Sequence, residues 1–187
     1  MKRIILCCIL CFTVLYVQSQ PTESTKQKLG TKGYVDLGLP SGTIWKCCSE
    51  ENTYTFKEAV ESYKKNLPSA KQWQELIDKC KWEWYDEGEY YEQDGEIYKL
   101  DGDSWYKVIG PNGNYILLYA NGYLFVDEDS ETCVGCGGVG GVEGYYLSSD
   151  AKNKSILYLS FNKDSISIEE LKSCYDFRCE LNVHLVK

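Results

Sequence analysis

The stretch 34-YVDLGLPSGTIW-45 decides the fold, because an extended apolar run is broken by Gly-Leu-Pro-Ser-Gly and then resumes. Val35, Leu37, Ile44 and Trp45 are strand formers, whereas Gly38, Pro40 and Gly42 are turn residues that permit positive φ or fix φ at a turn value. The segment reads as a strand, a tight loop and a second strand. What this hairpin packs against is set by the elements that follow it.

Two helices come next, announced by the same pattern. Thr55-Phe56-Lys57-Glu58 and Ser69-Ala70-Lys71-Gln72 are capping boxes, in which the hydroxyl accepts from the backbone three residues on and that residue's side chain reaches back. Each opens an apolar stripe at i, i+3, i+4, i+7: Phe56, Ala59, Val60 and Tyr63, then Trp73, Leu76, Ile77 and Cys80. Asn66-Leu67-Pro68 stops the first helix, since a residue before proline is pushed out of the α region.

Short strands fill the remainder. Residues 105–109 and 115–119 flank Pro111-Asn112-Gly113-Asn114, a strand, turn, strand unit, and Asn121-Gly122 makes a second turn before residues 123–126. Residues 156–161, 165–168 and 180–186 alternate apolar and polar, as half-buried strands do. A strand pair, two helices and many strands define an α+β domain with helices flanking antiparallel sheets. Two segments read as surface excursions. Residues 83–103 carry nine acidic side chains and one lysine among Tyr85, Tyr90, Tyr91 and Tyr98, and residues 131–144 are glycine-rich.

The chain has 187 residues, room for one domain that buries about 70% of its unfolded surface. Lys2 and Arg3 followed by an uncharged apolar core at 4–17 read as a secretory signal peptide over residues 1–19, too short in its apolar run for a bilayer span. Residues 20–32 are polar and read as a flexible spacer, leaving 33–187 as the domain, with no membrane span expected in the mature chain. Loss of Lys2 and Arg3 takes the formal charge from -8 to -10, which argues against a nucleic-acid partner, since phosphate binding needs a basic footprint. Of ten cysteines, Cys7, Cys8 and Cys11 lie in the export segment, so an odd number remain, and export makes disulfides their default.

Four blocks in order, residues 33–45, 67–82, 106–114 and 144–149, resemble the major paralogous domain (FISUMP-like) family of secreted Bacteroidetes proteins. The resemblance implies a C-type-lectin-like fold, akin to the formylglycine-generating enzyme superfamily, whose first and last strands pair. The hairpin at 34–45 is then what residues 181–186 close against. This chain departs from the family in a short stretch between Cys48 and Thr53, a longer acidic stretch before Asp103, and Leu147 where tryptophan is common. Cys48 and Cys80 match cysteines frequent in the family. Cys174 and Cys179 have the spacing of the copper-binding pair in formylglycine-generating enzymes, which supplies an oxidase alternative.

Cys133-x-x-Cys136 has the form of a redox dithiol or, with Cys174 and Cys179, of half a four-thiolate zinc site, but export favours oxidation and a glycine run stands where thioredoxin-like chemistry needs a helix start, so structural disulfides or odd thiols are expected. Cys48, Cys80, Cys133, Cys136, Cys174 and Cys179 are the disulfide candidates. Burial of Cys80 as a small hydrophobe stays open beside a bond to Cys48. Gly135-x-Gly137-x-x-Gly140 neither follows a clear strand nor opens a helix, so it reads as loop and not as a dinucleotide site. His184, the only histidine, is expected in the terminal strand. The acidic residues Asp101, Asp103, Asp127, Glu128, Asp129 and Glu131 read as solvated loops. Asp164-Ser165-Ile166 fits an O-glycosylation acceptor of the organisms in which the family occurs, with Ser165 as the acceptor.

These readings converge on a secreted, non-catalytic binding module for an extracellular glycan or protein, with no cofactor or metal. Trp84, Tyr90, Tyr91 and Trp105 are the expected contact residues, since loop aromatics supply contact area for either ligand. A structural subunit of a surface assembly, joined through the odd cysteine or an edge strand, is the second expectation.

Overall fold

The computed structural model describes residues 33–88, 90–93, 96–99, 103–126, 133–137, 141–152, 155–172 and 178–187, with the side chains of 90–93, 96–99, 125, 126, 133–137 and 178 left aside. The export signal and spacer expected at 1–32 lie outside the described residues, as does Cys174.

The deciding stretch is a hairpin, β1 (Tyr34–Asp36) paired antiparallel with β2 (Ile44–Lys46) in the register Val35 to Trp45. Gly38 and Gly42 have φ of 71° and 72°, a region side chains rarely enter, and Gly42 N–H closes the turn on the Leu39 carbonyl at 2.9 Å. Asp36 Oδ1 accepts from the Gly38 amide at 2.7 Å, fixing the exit of β1. The chain's last residues run along the free side of β2. Val186 bridges Trp45, the Lys46 amide donates to the Leu185 carbonyl at 2.8 Å, and the Ile44 amide donates to the Lys187 carbonyl at 3.1 Å.

Both capping boxes form. Thr55 caps α1 (Phe56–Tyr63) and Ser69 caps α2 (Ala70–Lys79), each with the reciprocal bond from Glu58 or Gln72. Proline does not itself end α1. The helix stops at Tyr63, Lys64 takes φ of 46°, and a 3₁₀ turn at Lys64–Asn66 intervenes before Leu67. That turn has its own task, because Asn66 Nδ2 donates to the Val186 carbonyl and the Val186 amide donates to the Asn66 carbonyl, at 2.9 and 2.8 Å. Trp73 of α2 is fully buried and its Nε1 donates to the Leu147 carbonyl at 3.1 Å. Burial of such a side chain contributes roughly 1.5–3 kcal/mol.

The remaining strands are β3 (Thr53–Tyr54), β4 (Lys81–Asp86), β5 (Tyr90–Gln93), β6 (Glu96–Lys99), β7 (Ser104–Ile109), β8 (Tyr115–Tyr119), β9 (Tyr123–Val126), β10 (Cys133–Gly137), β11 (Glu143–Lys152), β12 (Ser155–Asn162), β13 (Ile166–Leu171) and β14 (Arg178–Asn182). One sheet runs β10-β9-β14-β11-β12-β13, with β3 also on β14, and a second runs β4-β7-β8. Among the described strands pairing is antiparallel except at β11 and β14, where Tyr146 meets Asn182 in parallel, and an isolated bridge joins Gly122 and Gly144 in parallel. The α+β expectation holds. A core of Trp45, Trp73, Leu76, Tyr146 and Phe161 joins the hairpin, α2 and both sheets, and the Tyr146 and Phe161 rings stack at 5.8 Å.

Three expectations are corrected. Residues 83–103 are no single surface excursion: 81–86 form an integral strand with Trp82 and Trp84 packed against the core, because the local pattern alternates while the composition is acidic. The glycine-rich segment contains strand β10, so the glycines at 135 and 137 lie in a ladder with β9 and not in a loop. The terminal segment does not alternate. Residues 181–186 are all buried, since β14 passes into a segment covered on both sides.

Candidate functional site

The strand pattern of β4, β7 and β8 separates two faces. Inward, Tyr106, Val108, Ile116 and Leu118 are buried, with Trp82 and Trp84 packed beside them. Outward, the register aligns three rows across the strands: Tyr85, Trp105 and Tyr119; Glu83, Lys107 and Leu117; Lys81, Ile109 and Tyr115. Every outward side chain is half-buried or exposed. Six of the nine are apolar or aromatic, more than a solvated sheet face needs.

The first row is an aromatic strip. Tyr85 and Trp105 stack with centroids 5.8 Å apart and planes 6° from parallel, and Tyr119 follows Trp105 at 6.0 Å. Tyr85 is 42% exposed, and its hydroxyl donates to Glu83 Oε2 at 3.3 Å, a bond that runs along β4. Burial raises the Tyr119 phenol above its ordinary range, with the nearby Cys48, Asp103 and Glu87 adding to the effect. It therefore remains a neutral hydroxyl at physiological pH. Lys81 Nζ of the third row pairs with Glu83 of the second at 2.6 Å and draws the Glu83 carboxyl below its usual range. Lys107 Nζ sits 4.4 Å above the Tyr115 ring.

The expected contact residues divide. Trp105 lies in the aromatic strip. Trp84 faces the opposite way, packed edge-on against Tyr106 at 4.9 Å and near Phe161, so it is a core residue and not a loop contact. Tyr90 and Tyr91 lie in strand β5, paired with Lys99 and Tyr98 of β6, and their side chains are outside the description. Tyr85 and Tyr119 went unassigned from sequence. The signal for Tyr85 was period two: Lys81-Trp82-Glu83-Trp84-Tyr85 places one tryptophan pair inward and Tyr85 outward.

His184 does meet a hydroxyl, in a buried network. Its Nε2 donates to the Lys46 carbonyl at 2.6 Å, Nδ1 lies 3.5 Å from Ser49 Oγ, and Ser49 Oγ is 2.8 Å from the Tyr146 hydroxyl. Burial depresses the His184 pKa to about 4, with the Lys46 charge adding to it against the carbonyl bond. The ring is fully enclosed and neutral, and ties the terminal segment to β2. The geometry is that of a fastener.

Cys48 and Cys80 are free thiols, both pushed up to about 11 by burial, so the bond between them is not formed. Cys80 caps α2 and packs against the core as a small hydrophobe. Cys179 is 2% exposed among Leu147, Leu181 and Val183. Cys133 and Cys136 lie in β10 with their side chains undescribed. Among the described residues no three His, Cys, Asp or Glu side chains group to hold a metal ion, and no helix is long and apolar enough to cross a membrane. Ser165 is exposed in the turn between β12 and β13, its amide donating to Asn162 Oδ1 at 2.9 Å.

Comparison with protein-family models, with curated proteins and with solved structures gives no match.

Proposed function

We propose that this chain is a secreted, non-catalytic binding module of C-type-lectin-like fold, of the FISUMP-like kind, whose extracellular glycan or protein ligand docks on the outer face of β4, β7 and β8. The observation that carries the reading is the aromatic strip of Tyr85, Trp105 and Tyr119 across the outer face of β4, β7 and β8, half-buried at Trp105 and Tyr119 and exposed at Tyr85. Joined ends support the fold assignment: Val186 bridges Trp45, and two short helices flank antiparallel sheets. The enclosed, neutral His184 supports a binding role over hydrolysis, since a general base must reach its substrate. Cys179, buried in an aliphatic cluster, supports structure over copper chemistry.

The test is a paired screen. The exported protein and its Tyr85→Ala variant are applied to glycan and protein panels, and the expected outcome is at least one ligand retained by the first and lost by the second. Ligands bound equally by both would place the site elsewhere.

A further inference from the structure

We infer that the occupant of this face is a neutral polysaccharide, its chain running across the strands along Tyr85, Trp105 and Tyr119; the inference rests on the reading above. The three side chains are direct register partners, so the strip runs perpendicular to the strands, with ring centroids 5.8 and 6.0 Å apart. A ligand matched to it repeats flat apolar patches at ring-sized intervals. Sugar rings do so, presenting C–H faces to the aromatics and hydroxyls at their edges.

The neighbouring row selects against other occupants. Glu83, Lys107 and the Lys81 amine lie beside the strip. A second copy of this chain, or any partner with a dry apolar face, would bury these charges at a desolvation cost that their mutual attraction does not recover. A sugar instead meets them with hydroxyls that donate to Glu83 and accept from Lys107. Charge then decides among sugars. Glu83, Glu87 and Asp103 beside the strip outnumber Lys81 and Lys107, and the whole chain carries -8. Uronic acids, sulfated glycans and single-stranded nucleic acid, which also stacks on aromatics, are repelled from this field.

Affinity electrophoresis tests the inference, with the exported protein run through gels containing neutral polysaccharides (xylan, mannan, β-glucan, starch) or anionic ones (polygalacturonate, alginate, heparin). The expected result is retardation by at least one neutral polymer and by no anionic one, unchanged by added salt. Tyr85→Ala and Trp105→Ala are each expected to weaken it at least about tenfold. Tyr85 is exposed enough that its removal leaves the core intact, and an unchanged melting temperature verifies this. Retardation by anionic gels, or by no neutral gel, overturns the inference. If a protein ligand is instead lost in both variants, the proposed binding face stands and the glycan assignment falls. Concentration-dependent self-association abolished by Tyr85→Ala makes a second copy the occupant and also overturns it. Neutral-polymer binding that persists in both variants removes the face itself.

Discussion

Replacing Gly110 by alanine isolates the contact that seats the N-terminal hairpin. A Cβ at Gly110 would lie 2.1 Å from the Leu37 carbonyl oxygen and 2.6 Å from Leu37 Cβ, where ordinary contact begins at 3.4 Å. The neighbour is backbone in a hairpin held on both sides, so relief requires a shift of about 1 Å between the hairpin and the turn at 110–114. Three hydrogen bonds span that seam. The Asn112 amide donates to the Leu37 carbonyl at 3.5 Å, and Asn112 Nδ2 and Asn114 Nδ2 both donate to the Asp36 carbonyl, at 2.9 and 2.8 Å. Losing two or three of them at about 1 kcal/mol each, with the strain of overpacking, predicts a cost of about 3 kcal/mol. Gly42→Ala is the contrast, because its φ is 72° but a Cβ there meets nothing within 4 Å. Only the backbone penalty of about 1 kcal/mol applies. Urea unfolding of both variants, with m unchanged, measures the difference. A cost for Gly110→Ala no larger than that for Gly42→Ala would refute the seam.

Acid sensitivity follows from His184. Its folded pKa of about 4 lies below the ordinary 6.5, so the unfolded state binds the extra proton, and stability present above pH 6.5 is lost as pH falls toward 4, by up to about 3 kcal/mol. His184→Gln is expected to flatten unfolding midpoints across that window, and an unchanged slope would contradict the neutral buried ring. Thr55→Ala and Ser69→Ala each remove a reciprocal cap and should cost about 1 kcal/mol in the same urea assay. Cys48 and Cys80, with thiols raised to about 11, should take up iodoacetamide at pH 8 roughly tens of times more slowly in the native protein than in urea. Equal rates, read by mass spectrometry, would show that burial does not protect them.

The hairpin and the helices were legible in the sequence because their signals are local. Glycine at positive φ, proline in a turn and a hydroxyl three residues before Glu58 or Gln72 act within one turn of chain. The Asn66 contacts with Val186 and the register of β14 between β9 and β11 join residues far apart in sequence, and no local pattern encodes them. For the site, composition misled where periodicity would not have. Residues 83–103 are acidic enough to read as loop, yet the alternation from Lys81 to Asp86 already assigns Trp84 inward and Tyr85 outward. Tyr119 could be placed only once β8 was known to pair with β7 in the register Trp105 to Tyr119.

The most direct measurement is hydroxyl-radical footprinting of the exported protein with and without a ligand recovered from the paired screen. Protection of Tyr85 and Trp105 together, with Trp82 and Trp84 unchanged, is the predicted result, because the first pair faces outward and the second packs against Tyr106 and Phe161. Protection elsewhere with Tyr85 and Trp105 unaffected would contradict the assignment of this face as the binding surface.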